Sequence, residues 1–181
     1  MSSLVVSGDT SGSVTLQAPA VAGSSVLTLP VATDTLVGKA TTDTLTNKTI
    51  SAASNTFNMT PITNSLSGDV ALNNTANYFD GPSIAQGTSG TWFVSGHVTF
   101  YDGAGNAFHA KLWDGTTVID SGYFNTGAPN YQGQIALSGF IASPVGNLRI
   151  SVKDAGATSG VIAFNSTGNS KDSTITAIRI G

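Results

Sequence analysis

From residue 92 onward the chain alternates between apolar and polar side chains with a period of two. Trp92, Val94, Gly96, Val98 and Phe100 share one phase, and Phe93, Ser95, His97, Thr99 and Tyr101 share the other. That is the spacing of a β-strand, whose successive side chains point to opposite faces. The pattern returns at Phe108, Ala110 and Leu112, at Thr117–Phe124, and at Ile135, Leu137, Gly139 and Ile141. It returns again where Leu148, Ile150 and Val152 alternate with Arg149, Ser151 and Lys153. Val70–Leu72, Val161–Phe164 and Thr174–Ile180 read as further strands. Turn signals separate these runs: Ser67-Gly68-Asp69, Asp102-Gly103-Ala104-Gly105-Asn106, Asp114-Gly115, and Pro144 with Gly146. Asp-Gly is a hairpin turn that wants positive φ. No segment shows helical spacing with caps. Residues 67–181 therefore predict an all-β domain, a jelly roll or β-sandwich of about eight strands.

Residues 1–66 read differently. Phe57 is their sole aromatic residue. A segment so poor in large apolar side chains cannot easily offset its own ordering entropy. It nevertheless holds short regular units. Gly12-Ser13-Val14-Thr15-Leu16 is followed by Pro19, and Ser25-Val26-Leu27-Thr28-Leu29 by Pro30. Each reads as a short strand stopped by proline. Thr33-Asp34-Thr35-Leu36 recurs as Thr42-Asp43-Thr44-Leu45, and Asn47-Lys48-Thr49-Ile50 follows. The expected organisation is an extended strap over 1–66 that needs a partner, then a knob over 67–181.

Composition strengthens the β reading. Charged residues make up 9% of the 181 residues, against about 25% in an average soluble protein. All ten acidic residues are Asp, so the chain lacks one of the strong helix formers. The 40% hydrophobic content suffices for a core in the second part. Net charge is −3 and no basic run occurs, which argues against a nucleic-acid partner. There is no cysteine, so disulfides and thiolate metal sites are excluded. The N-terminus shows no basic-then-apolar leader, and no apolar run reaches the ~18–20 residues of a membrane span. Synthesis in a cytoplasm without a signal peptide is expected.

Little in the sequence points to catalysis or a cofactor. His97 and His109 both lie on polar phases of strands, where they read as solvated or interfacial, although with Asp102 they could serve a metal. No Gly-x-Ser-x-Gly elbow singles out a nucleophile. The Asp102–Asn106 loop lacks the alternating ligands of a calcium loop and reads as a turn, as do Asp34 and Asp43. Gly103-Ala104-Gly105 has no following helix or Lys-Ser/Thr to make a phosphate loop. No metal, cofactor or catalytic residue is expected, and a glycan depolymerase, which needs paired carboxylates, is disfavoured. Among Trp92, Tyr101, Trp113, Tyr123 and Tyr131, those near turns could stack on sugars. Trp113, Tyr123 and Tyr131 are the candidate glycan contacts, while most of this aromatic set reads as core or subunit-interface residues.

Residues 12–50 carry a resemblance. Gly12–Leu16, Leu27–Pro30 and Thr44–Thr49 stand in the order of Gly-x-Val-Thr-Leu, Leu-x-Leu-Pro and Thr-Leu-Thr-Asn-Lys-Thr units, and this resembles a segment of tailed-bacteriophage fibre and head-appendage proteins. The C-terminal part is similar in layout to the trimeric, tumour-necrosis-factor-like jelly-roll heads of phage fibres. The resemblance implies a virion location and a homotrimeric capsid decoration or head-fibre subunit. Val14, Leu16, Leu27, Leu29, Leu36, Leu45, Asn47 and Lys48 would anchor it to a major capsid protein or another virion protein. The long shaft repeats of a full tail fibre are missing. A short tail fibre or receptor-binding module for host surface glycan is the alternative.

Overall fold

A computed structural model describes residues 3–7, 10–17, 20, 21, 24, 31, 49, 50, 59–105 and 107–181. The chain divides into two compact units, Met1–Ile50 and Ser51–Gly181. In the first, β1 (Ser3–Ser7) and β2 (Ser13–Gln17) form an antiparallel hairpin, with Ser3 opposite Gln17 and Ser7 opposite Ser13. β2 coincides with the expected strand ahead of Pro19. Leu4, Val5, Val6 and Leu16 are all exposed. A two-stranded ribbon without a covered face is marginal in water. Leu27, Leu29, Leu36, Leu45, Asn47 and Lys48 lie outside the described residues, as do Asp34 and Asp43.

The second unit is a jelly-roll β-sandwich. Its strands are β3 (Ile62–Ser65), β4 (Val70–Leu72), β5 (Phe79–Ile84), β6 (Thr91–Asp102), β7 (Ala107–Trp113), β8 (Val118–Asn125), β9 (Tyr131–Ala142), β10 (Leu148–Asp154), β11 (Gly160–Ala163) and β12 (Thr174–Arg179). One sheet has the order β5-β10-β7-β8. The other runs β3-β12-β6-β11-β4, and β9 pairs along the whole of β6. The opposite edge of β6 is shared: Trp92–Arg179 through His97–Thr174 pair with β12, and Thr99–Tyr101 pair with β11. Among the described residues, β7–β8 is the one sandwich pairing between consecutive strands.

Two strands exceed the expected set. β3 falls before residue 67 yet pairs with β12, so the sandwich begins earlier than the 66/67 division read from the sequence. Its four residues, Ile-Thr-Asn-Ser, carry too little apolar alternation to be read as a strand; pairing to β12 orders them. β5 contains Gly81 and Pro82, residues that discourage a strand assignment. Its place at a sheet edge tolerates the missing N–H of proline.

The core lies between the sheets. Phe108, Ala110, Leu112, Leu148, Ile150 and Val152 face Val94, Val98, Phe100, Ile135, Leu137, Ile162 and Ile175, all buried. The apolar phases read from the sequence thus point inward. Phe100 stacks on Phe108 at 4.3 Å and meets Phe124 edge-on at 5.4 Å. Gly133 makes room for these rings: a Cβ there would lie 2.5 Å from Phe100 and 2.6 Å from Phe124. The sandwich is laced on both sides. Asn64 Nδ2 donates to Ser83 O at 2.8 Å, and Ser138 N donates to Asp120 Oδ2 at 2.9 Å.

Candidate functional site

The two outward faces of the sandwich differ in chemistry. On the four-stranded sheet, β7 turns His109, Lys111 and Trp113 outward, and β10 does the same with Arg149, Ser151 and Lys153. Their register sets Arg149 opposite Trp113, Ser151 opposite Lys111 and Lys153 opposite His109. β8 adds Tyr123 opposite His109, the two rings edge-on at 5.3 Å. β5 adds Asp80 opposite Ser151, with Tyr78 just before it.

A relay of hydrogen bonds fixes the centre of this face. The Trp113 indole N–H donates to Ser151 Oγ at 2.6 Å, and the Ser151 hydroxyl donates to Asp80 Oδ1 at 2.6 Å. Arg149 Nη1 lies 3.4 Å from Asp80 Oδ2. Lys111 Nζ sits 3.2 Å from the Trp113 ring centroid and 4.5 Å from that of Tyr78. Lys153 Nζ is 5.3 Å from the Tyr78 ring, and Arg149 Cζ is 4.9 Å from the Trp113 ring. Burial lowers the Lys111 pKa; Asp80 opposes that shift and Arg149 adds to it. Arg149 Nε is buried without a hydrogen-bond partner.

The outer face of the larger sheet carries no Asp, Lys or Arg along its strand rows. At one end Phe140, Phe93 and Ile178 lie side by side across β9, β6 and β12. The Phe93 and Phe140 rings are 5.1 Å apart, and Phe140 is 64% exposed. The next rows are small and polar: Ser138, Ser95, Thr176 and Thr63, then Ala136, His97, Thr174 and Ser65. Thr63 and Thr176 hydroxyls hydrogen-bond at 2.9 Å, and Ser65 and Thr174 hydroxyls at 2.8 Å.

The residues singled out in the sequence disperse. Trp113 and Tyr123 share the basic face, but Tyr131 stands at the other sheet, paired with Asp102 at the start of β9. His97 hydrogen-bonds to Lys171 O at 3.1 Å on one outer face while His109 lies on the opposite one. Asp102 is buried and accepts from Ala104 N at 3.2 Å and Ser159 Oγ at 2.6 Å, an Asx turn. These three are not brought together, and no group of three or more His, Asp or Glu fit to hold a metal occurs among the described residues. Asp114 and Gly115 begin a four-residue loop rather than a two-residue hairpin, with Gly115 at φ 97°. Leu16 is exposed on β2; Val14 lies on the same strand.

Sequence reasoning missed Tyr78, Asp80, Lys111, Arg149 and Lys153 as members of one surface. The alternation of His109, Lys111, Trp113 and of Arg149, Ser151, Lys153 was legible. The register that fuses the two rows was not.

No protein-family model and no curated protein matches this chain. Among solved structures, Eiger TNF from S. frugiperda is similar over 68% of this chain and 93% of its own, at 11% identity and TM-score 0.44. The C-terminal CBM6 of LamC, a marine laminarinase from Zobellia galactanivorans, is similar over 67% of this chain and 100% of its own, at 13% identity and TM-score 0.35. The class is defined by the strand pairing itself: an all-β, jelly-roll β-sandwich. No helix among the described residues is long and apolar enough to cross a membrane.

Proposed function

We propose that this chain is a non-enzymatic structural subunit of a phage particle, self-associating through the outer face of the larger sheet. The observation that carries self-association is the Phe93–Phe140–Ile178 row followed by rows of mainly Ser and Thr, where the Lys171 ammonium touches only the Ser65 end. Interface cores are depleted in charge and enriched in aromatic residues. The virion location comes from the resemblance in residues 12–50, three-fold symmetry from the likeness in layout of the C-terminal part to trimeric phage-fibre heads, and capsid decoration or head fibre from the missing shaft repeats. The exposed apolar residues of the β1–β2 hairpin support an anchoring role for the first unit, since such a ribbon gains order against a partner.

The carboxylates support the non-enzymatic reading. Of the ten Asp, Asp69, Asp80, Asp102, Asp114, Asp120, Asp154 and Asp172 are described, and each accepts a hydrogen bond that holds a turn or a strand. Sedimentation of the full chain is expected to give a trimer, and Phe140→Asp a monomer of unchanged fold. A monomeric wild-type chain at high concentration would sink the assembly reading. Immunogold labelling of purified phage particles tests the location.

A further inference from the structure

The sequence contains no basic run, yet folding gathers Lys111, Arg149 and Lys153 onto one face, against the single carboxylate of Asp80. The chain has seven Lys and Arg in all and a net charge of −3, so this concentration is local. The same face holds Tyr78, Trp113, Tyr123 and His109. From His109 to Trp113 the strip runs about 13 Å along β7, and across the four strands it spans about 14 Å.

We propose that this face binds an anionic glycan, a sugar chain bearing carboxylate or sulfate groups. Such a ligand combines flat C–H faces with fixed negative charge, and the surface offers a partner for each. Tyr123, 61% exposed, presents ring surface for the sugar faces. Lys111 and Arg149 present the charge. Neither is well satisfied. Lys111 rests on aromatic rings beside another cation, and the buried Arg149 Nε has no acceptor. The contact between Arg149 and Asp80 is a loose 3.4 Å, and the Asp80 end of it is half exposed, where ion pairs are weakened by water. An incoming carboxylate or sulfate can take paired N–H donors from the planar guanidinium and neutralise Lys111 at once.

Trp113 has a different role from the one expected of it. Its N–H is committed to Ser151 and Lys111 Nζ covers its ring, so it is a platform that positions Lys111. A neutral sugar stacking on that ring face would have to displace the ammonium, whereas an anionic one uses it. A nucleic acid is the poorer fit, because its affinity rests on a track of many neutralised phosphates. The face stays open in an assembly built on the larger sheet, since the two surfaces are opposite sides of the sandwich. The proposal is independent of the self-association reading.

Calorimetric titration of the full chain tests it, with polygalacturonate, dextran sulfate, neutral dextran and a DNA duplex as probes. Binding is expected for at least one of the two anionic polysaccharides, identifying carboxylate or sulfate as the recognised group, and not for dextran. Lys111→Ala and Arg149→Gln are each expected to weaken it about tenfold, as is Tyr123→Ala. Lys171→Ala, away from the face, is expected to change nothing. Thermal unfolding of each variant separates lost binding from lost fold. Failure of both anionic polysaccharides to bind overturns the proposal. So does equal affinity for neutral dextran, equal or tighter binding of DNA, or unchanged binding in folded Lys111→Ala and Arg149→Gln variants.

Discussion

The chemistry of single residues here is mostly the chemistry of buried aspartates. Asp114 is 3% exposed and accepts backbone N–H groups from Thr116, Thr117 and Val145 at 2.6–2.9 Å. Burial alone would raise its pKa; these donors outweigh it and hold the carboxyl below its ordinary 3.8. Asp172 is lowered too, first by the Thr167 hydroxyl, against burial and with help from backbone N–H groups and His97. A carboxylate with a depressed folded pKa contributes stability that is present above its unfolded pKa. That contribution is lost as pH falls through the folded value. Asp114→Asn is therefore expected to cost about 1–3 kcal/mol at neutral pH, with the gap to wild type narrowing below about pH 4. Urea unfolding across the acid range measures it. Gly133 makes the complementary point in the core. Gly133→Ala forces its Cβ against Phe100 and Phe124 and is expected to cost about 1–3 kcal/mol or more, read as a lower urea midpoint.

At the scale of elements, β3 decides where the sandwich begins. Ile62 and Leu66 pack against the core, and β3 covers the edge of β12. A fragment of residues 67–181 lacks all of this, and one of residues 51–181 keeps it. The shorter fragment is expected to lose roughly 2–4 kcal/mol, a fall in Tm on the order of 10 °C. Differential scanning calorimetry of the two settles the boundary, and equal Tm values would return it to 66/67. β7 and β10 carry the other lesson of this scale. Each was legible as an alternating strand, but no rule of sequence fixes which strands become neighbours.

For the whole molecule, topology sets the dynamics. The chain passes between the two sheets of the sandwich repeatedly, and β7–β8 is the one local pairing described within that sandwich. Non-local pairings must close long loops before they gain contacts, so refolding of residues 51–181 is expected in milliseconds to seconds rather than microseconds. Stopped-flow dilution from denaturant measures this. If the full chain assembles through the Phe140 face, its Tm rises with protein concentration, because association stabilises the folded state by mass action. A Tm independent of concentration in wild type, matching that of Phe140→Asp, would count against assembly.

What the sequence determined by itself was everything that depends on period and local chemistry. The two-residue alternation of β6, β7, β9 and β10 placed the apolar phases inward, because a pleated strand leaves no other way to bury them. Low charge, abundant Ser and Thr, and Asp in turns marked an all-β chain. Strands whose order comes from a neighbour were invisible: β3 has almost no apolar signal, and β5 hides behind Gly81 and Pro82. The surfaces were equally hidden. Lys111, Arg149, Lys153 and Tyr78 are spread over some seventy-five positions of sequence and become one face only when β5, β10, β7 and β8 pair. Alternation tells a side chain which face to take. Strand order and register, fixed by the packing of the whole core, decide which other side chains it meets there.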